Sequence, residues 1–152
     1  MSSGKLFKDF VPPLMPEILA VVQNMSFQSA TPVQATVVPY FLSHKDVNVV
    51  ACTGSGKTLA FLIPLFQILW NKECRLVNGQ VGAVIVSPTR ELALQTFSVA
   101  QQFEEKNGKV HVILLTGGIE VLYSKFQGMK SPRISSSCAA RRDSFSSRLQ
   151  GV

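Results

Sequence analysis

The sequence predicts an α/β fold built on a parallel sheet, and three observations support this class. Short apolar, β-branched runs alternate with helical segments along the chain. The run Ala83 to Val86 lacks the alternation of polar residues that marks a strand with one solvent-exposed face, as is typical of buried parallel strands. A glycine-rich loop joins the first run to the helix that follows it, which is the usual connection in such a sheet.

The predicted elements follow the order strand, helix, strand, helix, strand. The strands are Val47 to Ala51, Ala83 to Val86 and Val110 to Leu115. Helices are predicted at Lys57 to Trp70 and at Arg90 to Lys106. The apolar side of the second helix comprises Leu92, Ala93, Thr96, Ala100 and Phe103.

Two shorter helices are expected before the first strand. Pro16 opens one that runs to Met25, because proline suits the first helical position. Thr31 is a capping residue for the other, with Pro32 directly after it. Pro39 is expected to bend or shorten this second helix.

The composition excludes several classes of protein. Of the 152 residues, 46% are hydrophobic, which suits one domain, and no apolar run reaches the about 18 residues of a membrane span. The N-terminus does not resemble a secretory signal, so we expect a nuclear or cytoplasmic protein. The three cysteines are far apart and lack histidine partners at ligand spacing, which argues against a disulfide framework or a zinc site.

The net charge of +6 is concentrated near the C-terminus. Residues 1–122 carry nine basic and eight acidic side chains, whereas residues 123–152 carry six basic side chains and one acidic. The same tail has eight serines and little apolar periodicity, so it is predicted to be disordered. Basic charge alone therefore does not indicate an RNA-binding body.

The segment Ala51 to Thr58 matches a phosphate-binding loop, with Ala51 in place of the first glycine. Gly54 and Gly56 allow the backbone to turn and expose N–H groups. Lys57 would reach the β- and γ-phosphates, and the Thr58 hydroxyl would bind Mg²⁺. A glycine-rich turn without a ligand is the alternative, but it gives no reason for lysine and threonine to follow Gly56.

Gln34 is a candidate for recognising the base. It lies on the first turn of the helix that Thr31 caps. A glutamine amide can accept from the adenine amino group and donate to the neighbouring ring nitrogen, whereas guanine offers two acceptors there. Gln34 could therefore select ATP, although most glutamines at helix starts are simply solvated.

Several motifs, taken in order, resemble those of the DEAD-box ATP-dependent RNA helicases. The Q motif spans residues 5–34, the phosphate loop 51–58, motif Ia 88–92 and the GG motif 116–118. The residues that carry the resemblance are Phe7, Phe27, Thr31-Pro32-Val33-Gln34, Ala51 to Thr58, Ser87-Pro88-Thr89-Arg90-Glu91-Leu92-Ala93 and Thr116-Gly117-Gly118. The likeness covers about residues 5–122 and implies part of an N-terminal RecA-like domain, incomplete on its C-terminal side. Two stretches, His44 to Val47 and Gln80 to Val86, further resemble the branch that assembles the large ribosomal subunit in the nucleolus.

The resemblance implies a site for ATP and Mg²⁺ and a surface for RNA. Phe7 would stack on the adenine and Gln34 would bind its edge. The phosphates and magnesium would be held by Thr53, Gly54, Ser55, Gly56, Lys57 and Thr58. The RNA would be contacted by Pro88, Thr89, Arg90, Gly117 and Gly118. The resemblance also implies a monomer that acts on ribosomal precursor RNA, away from membranes, in the nucleus and nucleolus.

Arg90 has a second interpretation. At a helix start it could simply pair with Glu91 or Asp46, and without the other motifs that would be the better interpretation. Its position after the strand Ala83 to Val86 nevertheless suits a ligand, because ligands bind at the carboxyl ends of parallel strands.

The 152 residues contain no Asp-Glu-Ala-Asp sequence, the element whose carboxylates orient Mg²⁺ and the attacking water. The one adjacent acidic pair after Glu91 is Glu104-Glu105, which is expected on a solvated helix face. A second RecA-like domain, the source of an arginine finger, is not recognisable either. We therefore expect a helicase by family but no ATP hydrolysis by this stretch alone, and Val47 to Ala51 would be left without partner strands. The alternatives are a non-catalytic fragment that binds ATP or RNA, and a small phosphate-loop kinase or GTPase.

Overall fold

A computed structural model describes residues 4–71, 80–108 and 110–116, and the backbone of 133–138. The chain divides into two compact units. Unit 1 comprises Met1–Arg75 and Glu105–Gly108, and unit 2 comprises Leu76–Glu104 and Lys109–Val152. Within the described residues, no helix combines the length and the apolar character that crossing a bilayer requires.

Unit 1 is helical in its described part. After a 3₁₀ turn at Phe7–Asp9 come α1 (Pro16–Asn24), α2 (Pro32–Leu42) and α3 (Lys57–Trp70). Prolines open α1 and α2 as predicted, and the bounds of α3 agree with the sequence. Helix α2 continues through Pro39 to Leu42, so this proline does not end it.

Helix α3 is the centre of the core of unit 1 and packs against α1 and α2. Its sequence is apolar almost throughout, so side chains are buried on most of its circumference. Each large aliphatic or aromatic side chain buried in this way contributes about 1.5–3 kcal/mol. The buried residues of α3 are Leu59, Ala60, Leu62, Ile63, Pro64, Phe66, Leu69 and Trp70. The phosphate loop is thus attached to the most buried helix of its unit.

The predicted strand Val47 to Ala51 is not a strand in the structure, and this expectation is corrected. Val50 is 98% exposed. A strand exists only if another strand satisfies its backbone groups, and none of the described strands pairs with this segment. The lack of partner strands for this segment agrees with the expectation from the sequence.

Unit 2 contains a three-stranded parallel sheet and most of one long helix, whose residues from Glu105 onward belong to unit 1. The elements are β1 (Val81–Ser87), α4 (Arg90–Asn107), β2 (His111–Leu115) and β3 (Arg133–Cys138). The strand order is β1-β3-β2, with Ile85 opposite Ser136 and Ile113 opposite Ser135. On α4 the buried residues are Ala93, Thr96, Ala100 and Phe103, whereas Leu92 is 45% exposed despite its predicted place on the apolar side.

Strand β3 lies within the tail that was predicted to be disordered, and for Arg133–Cys138 that expectation is corrected. The physical reason is that β1 and β2 each present a row of backbone donors and acceptors. A segment between them pairs on both sides, and backbone pairing does not require apolar side chains. The other residues of the tail lie outside the described part of the chain.

Candidate nucleotide-binding site

The phosphate loop, residues 51–58, turns through two glycines with left-handed backbones. Gly54 has a φ of +77° and Gly56 a φ of +87°, values that disfavour any residue with a side chain. A Cβ at Gly54 would meet nothing within 4 Å. A Cβ at Gly56 would overlap the amide nitrogen of Gln34 and lie 3.1 Å from the Thr31 hydroxyl oxygen. Glycine is therefore required at position 56 for two reasons, the left-handed backbone and the close approach of the Gln34 side chain.

Gln34 joins the start of α2 to the phosphate loop. Thr31 and Gln34 form a capping box, in which Thr31 N donates to Gln34 Oε1 at 2.9 Å and Gln34 N donates to Thr31 Oγ1 at 3.4 Å. Gln34 Nε2 donates to the Gly56 carbonyl at 3.0 Å, and the residue is only 3% exposed. The sequence placed this side chain on the first turn of a helix, but the contact with Gly56 was not predicted.

The Gln34 amide still has hydrogen-bonding capacity. Each of its two polar atoms makes one bond to the protein, leaving one N–H and one lone pair. These are the two groups that an adenine edge needs. The contacts therefore fix the orientation of the amide without using all of its capacity.

Lys57 closes the phosphate loop on itself. Its Nζ donates to the carbonyl of Ala51 at 2.7 Å and to that of Cys52 at 2.5 Å. An ammonium group has three N–H donors, so one is left for a phosphate oxygen. These contacts hold the positive charge at the N-terminus of α3, where the helix dipole also favours an anion.

Ser55 supplies an orphaned hydroxyl in the same loop. Its Oγ is buried and has no hydrogen-bond partner in the described structure. A buried hydroxyl without a partner is costly, so its presence suits a polar ligand that accepts or donates there. Thr58 is half-buried on the first turn of α3, and Thr53 is exposed at the loop. The loop residues therefore fit a phosphate group.

The two candidate aromatic residues of the Q motif lie in different surroundings. Phe7 is 4% exposed, and its ring stacks on that of Phe10 with centroids 5.9 Å apart and planes 12° apart. Phe27 is 49% exposed and precedes Gln34 by seven residues. The resemblance implies that Phe7 stacks on the adenine, and it assigns no role to Phe27.

In unit 2 the predicted RNA-facing residues begin at the carboxyl end of β1. Thr89 Oγ1 accepts from Leu92 N at 3.3 Å and so caps α4, and Arg90 is exposed. No ion pair holds Arg90 to Glu91 among the described residues. Since β1 and β2 both run parallel to β3, their carboxyl ends lie at one edge of the sheet, where ligands bind in such folds. Gly117 and Gly118 follow β2 and lie outside the described residues.

The acidic pair on α4 has a structural contact. Glu104 Oε1 lies 2.7 Å from His111 Nδ1, and Glu104 Oε2 accepts from Val112 N at 3.0 Å. Glu105 is exposed. Over the ranges that the structure covers, no group of three or more histidine, cysteine, aspartate or glutamate side chains could hold a metal ion.

In a comparison with protein families, residues 31–148 match the model of the DEAD/DEAH box helicases. The match extends past Leu122, so the expectation that the likeness ends at about that residue is corrected. Among relatives, "ATP-dependent rRNA helicase SPB4" of Mycosarcoma maydis is 50% identical over 100 residues, covering 66% of this chain and 13% of that protein. "ATP-dependent RNA helicase DDX55" of Homo sapiens is 45% identical over 106 residues, covering 70% and 18%. "DEAD-box ATP-dependent RNA helicase 18" of Arabidopsis thaliana is 47% identical over 116 residues, covering 76% and 20%.

Solved structures agree with this result. The DEAD-box helicase Mss116, bound to single-stranded RNA and UDP-BeF, superposes with a TM-score of 0.74 at 32% identity, covering 89% of this chain and 29% of that chain. A second Mss116 structure, bound to single-stranded RNA and AMP-PNP, gives a TM-score of 0.75 at the same identity. The predicted fold class is confirmed. The chain spans between 13% and 21% of the length of the curated relatives it matches.

Proposed function

We propose that unit 1 binds ATP with Mg²⁺ and that unit 2 binds RNA, because the chain belongs to the DEAD/DEAH box helicase family. The observation that carries the ATP proposal is the hydrogen bond from Gln34 Nε2 to the Gly56 carbonyl. It brings a candidate base-binding amide into direct contact with the phosphate loop. A phosphate-binding turn alone would not select a base, and a solvated glutamine would not contact the turn.

Different residues of the phosphate loop would bind different parts of the triphosphate. The backbone N–H groups around Gly54 and Gly56 would bind phosphate oxygens, and Lys57 would supply positive charge to the β- and γ-phosphates. The Thr58 hydroxyl would hold the Mg²⁺ that accompanies the nucleotide. The orphaned Ser55 Oγ supports this assignment, because a phosphate oxygen would give it a partner.

Phe7 remains the proposed residue for stacking on the adenine, and Phe27 is a second candidate. The ring of Phe27 is half exposed, whereas that of Phe7 is covered on one face by Phe10 and is almost fully buried. Stacking on a base requires an open ring face. Gln34, at 3% exposed, is as buried as Phe7, so burial alone does not exclude the role that the resemblance implies for Phe7.

The proposed RNA surface lies at the carboxyl ends of β1 and β2. Arg90 and the turn formed by Pro88 and Thr89 would contact the phosphate backbone, together with Gly117 and Gly118. Contacts to the phosphate backbone carry no sequence information, so binding is expected to tolerate sequence and to weaken with salt. The names of relatives such as the rRNA helicase SPB4 support ribosomal precursor RNA as the substrate. We accordingly propose a monomer that works in the nucleolus.

Complete RNA unwinding is proposed only for a protein that carries the further elements of the family. The 152 residues lack an Asp-Glu-Ala-Asp sequence, and phosphoryl transfer needs carboxylates that position Mg²⁺ and water. On its own this stretch is expected to bind ATP and release no phosphate above background. The second candidate function is therefore a non-catalytic fragment that binds ATP or RNA, favoured by the same missing carboxylates.

Nucleotide titration of the purified 152-residue chain tests the proposal. We expect ATP to bind more tightly than GTP, and Lys57→Ala to weaken ATP by about 1.5–3 kcal/mol, the range for a charge-assisted hydrogen bond. Lys45→Ala is the matched control, because Lys45 is an exposed lysine of the same unit. Equal affinity for ATP and GTP would contradict the role of Gln34, and RNA-stimulated phosphate release would contradict the lack of turnover.

A further inference from the structure

Residues 4–15, here called the N-terminal strap, are tied to unit 1 at both ends. At the first end Ala30 N donates to Lys5 O at 2.8 Å, and Leu6 forms an isolated antiparallel bridge with Ser29. Gly4 lies so close that a Cβ there would be 3.0 Å from the Ala30 carbonyl oxygen. This end of the strap therefore contacts the residues directly before Thr31.

One side chain ties the other end. Gln67 Oε1 accepts from Met15 N at 2.8 Å, and Gln67 Nε2 donates to the Pro13 carbonyl at 3.0 Å. The amide of this one side chain thus accepts from a backbone N–H group of the strap and donates to a backbone carbonyl of the strap. Gln67 is also the only polar residue of α3 beyond its first turn, within an otherwise apolar sequence.

Between its ends the strap is packed into the core. Phe7, Phe10 and Leu14 are 4%, 2% and 5% exposed. The Phe7 and Phe10 rings stack, and Lys5 Nζ lies 4.7 Å from the centroid of the Phe10 ring. The strap is thus an ordered connection between its two tethered ends.

The two ends of the strap are attached to the two elements that carry the candidate nucleotide site, the start of α2 and helix α3. Ala30 directly precedes Thr31, whose capping box orients Gln34. Gln67 lies on α3, which begins at Lys57 of the phosphate loop. Gln67 lies about 15 Å along the helix axis from Lys57, so a tether at Gln67 constrains the position of the helix whose first turn follows the phosphate loop.

From this arrangement we infer that Gln67 is a positioning residue for adenine selection. By anchoring the strap to α3, Gln67 fixes the position of Thr31 and Gln34, at the start of α2, relative to the phosphate loop. Gln67 touches no nucleotide and acts through the Gln34 contact with Gly56. The inference rests on the proposed function, because it assigns a determinant of specificity to the same ATP site.

The test compares three variants of the 152-residue chain. Gln67→Met keeps the length of the side chain and removes both hydrogen bonds, whereas Gln67→Glu keeps the acceptor for Met15 N and loses the donor to Pro13 O. Gln23→Met is the matched control, because Gln23 is exposed on α1. The measured quantities are the dissociation constants for ATP, GTP and inorganic tripolyphosphate.

We expect Gln67→Met to reduce the ratio of ATP to GTP affinity about tenfold, as the loss of about 1.4 kcal/mol would. Its affinity for tripolyphosphate should change less than about twofold, since the loop itself is intact. Gln67→Glu should lie between Gln67→Met and the wild type, and Gln23→Met should match the wild type. Trypsin should also cleave after Lys8 faster in Gln67→Met, with cleavage after Lys45 unchanged as the internal reference.

Each contrary result has a distinct meaning. A Gln67→Met variant that keeps the wild-type ATP to GTP ratio overturns the inference and leaves the proposed function standing. Equal losses of ATP and tripolyphosphate affinity mean a general structural role and also overturn it. If the wild type itself fails to prefer ATP, adenine reading by Gln34 is wrong and the inference fails with it. If Gln67→Met does not fold, the ratio measured for Gln67→Glu decides.

Discussion

Replacing each loop glycine with alanine separates backbone strain from the close approach of Gln34. Gly54 and Gly56 have similar positive φ values, so alanine at either position costs about 1–2 kcal/mol of strain. Only at Gly56 would the new methyl group also displace the Gln34 amide, whose bond to the Gly56 carbonyl contributes about 1 kcal/mol. Gly56→Ala should therefore lower the free energy of unfolding by about 1 kcal/mol more than Gly54→Ala.

Urea denaturation followed by fluorescence measures this difference. Trp70 is the single tryptophan of the chain, lies on α3 of unit 1 and is 3% exposed, so its emission reports the unfolding of that unit. The gain from reducing the freedom of the unfolded chain is common to both alanines and cancels in the comparison. Equal destabilisation by the two substitutions would refute the close contact, since φ alone would then account for both glycines.

Three further substitutions test other parts of the structure. Phe27→Ala should weaken ATP binding with little change in stability, because the ring is half exposed, whereas Phe7→Ala should cost about 3–5 kcal/mol of unfolding free energy in urea titrations. Glu104→Ala should lower stability by about 1–3 kcal/mol in the same measurement, since it leaves Val112 N without its acceptor, while Glu105→Ala at an exposed position should change it by less than about 0.5 kcal/mol. Arg90→Ala should weaken binding of single-stranded RNA uniformly across sequences and reduce the salt slope by about 1, tested also in a 152-residue chain with Arg141, Arg142 and Arg148 replaced by glutamine, so that basic residues beyond β3 do not mask the effect.

Local signals predicted much of the fold. The bounds of α3 were predictable because Gly56 ends the loop and an apolar run follows directly. The start of α2 was predictable because Thr31 and Pro32 are a capping residue and a first-turn proline. In each case the residues that determine the element lie within a few positions of it, so the sequence alone contains the information.

Pairing across long distances was not predictable in the same way. Val47 to Ala51 has the composition of a strand, but its state depends on whether another segment offers backbone groups. Arg133–Cys138 has the opposite character, a serine-rich sequence that pairs because two strands flank it. The contact between Gln34 and Gly56 likewise joins residues 22 positions apart, which no periodicity reveals.

The place of β3 between β1 and β2 also bears on synthesis at the ribosome. The two outer strands, β1 and β2, leave the ribosome before β3. In the described sheet each outer strand is hydrogen-bonded to β3 and not to the other outer strand. At about 5–20 residues per second, translating residues 116–138 takes roughly one to five seconds. During that interval the backbone N–H and C=O groups that later pair with β3 are unpaired on both outer strands. Nascent chains in this condition bind chaperones or aggregate.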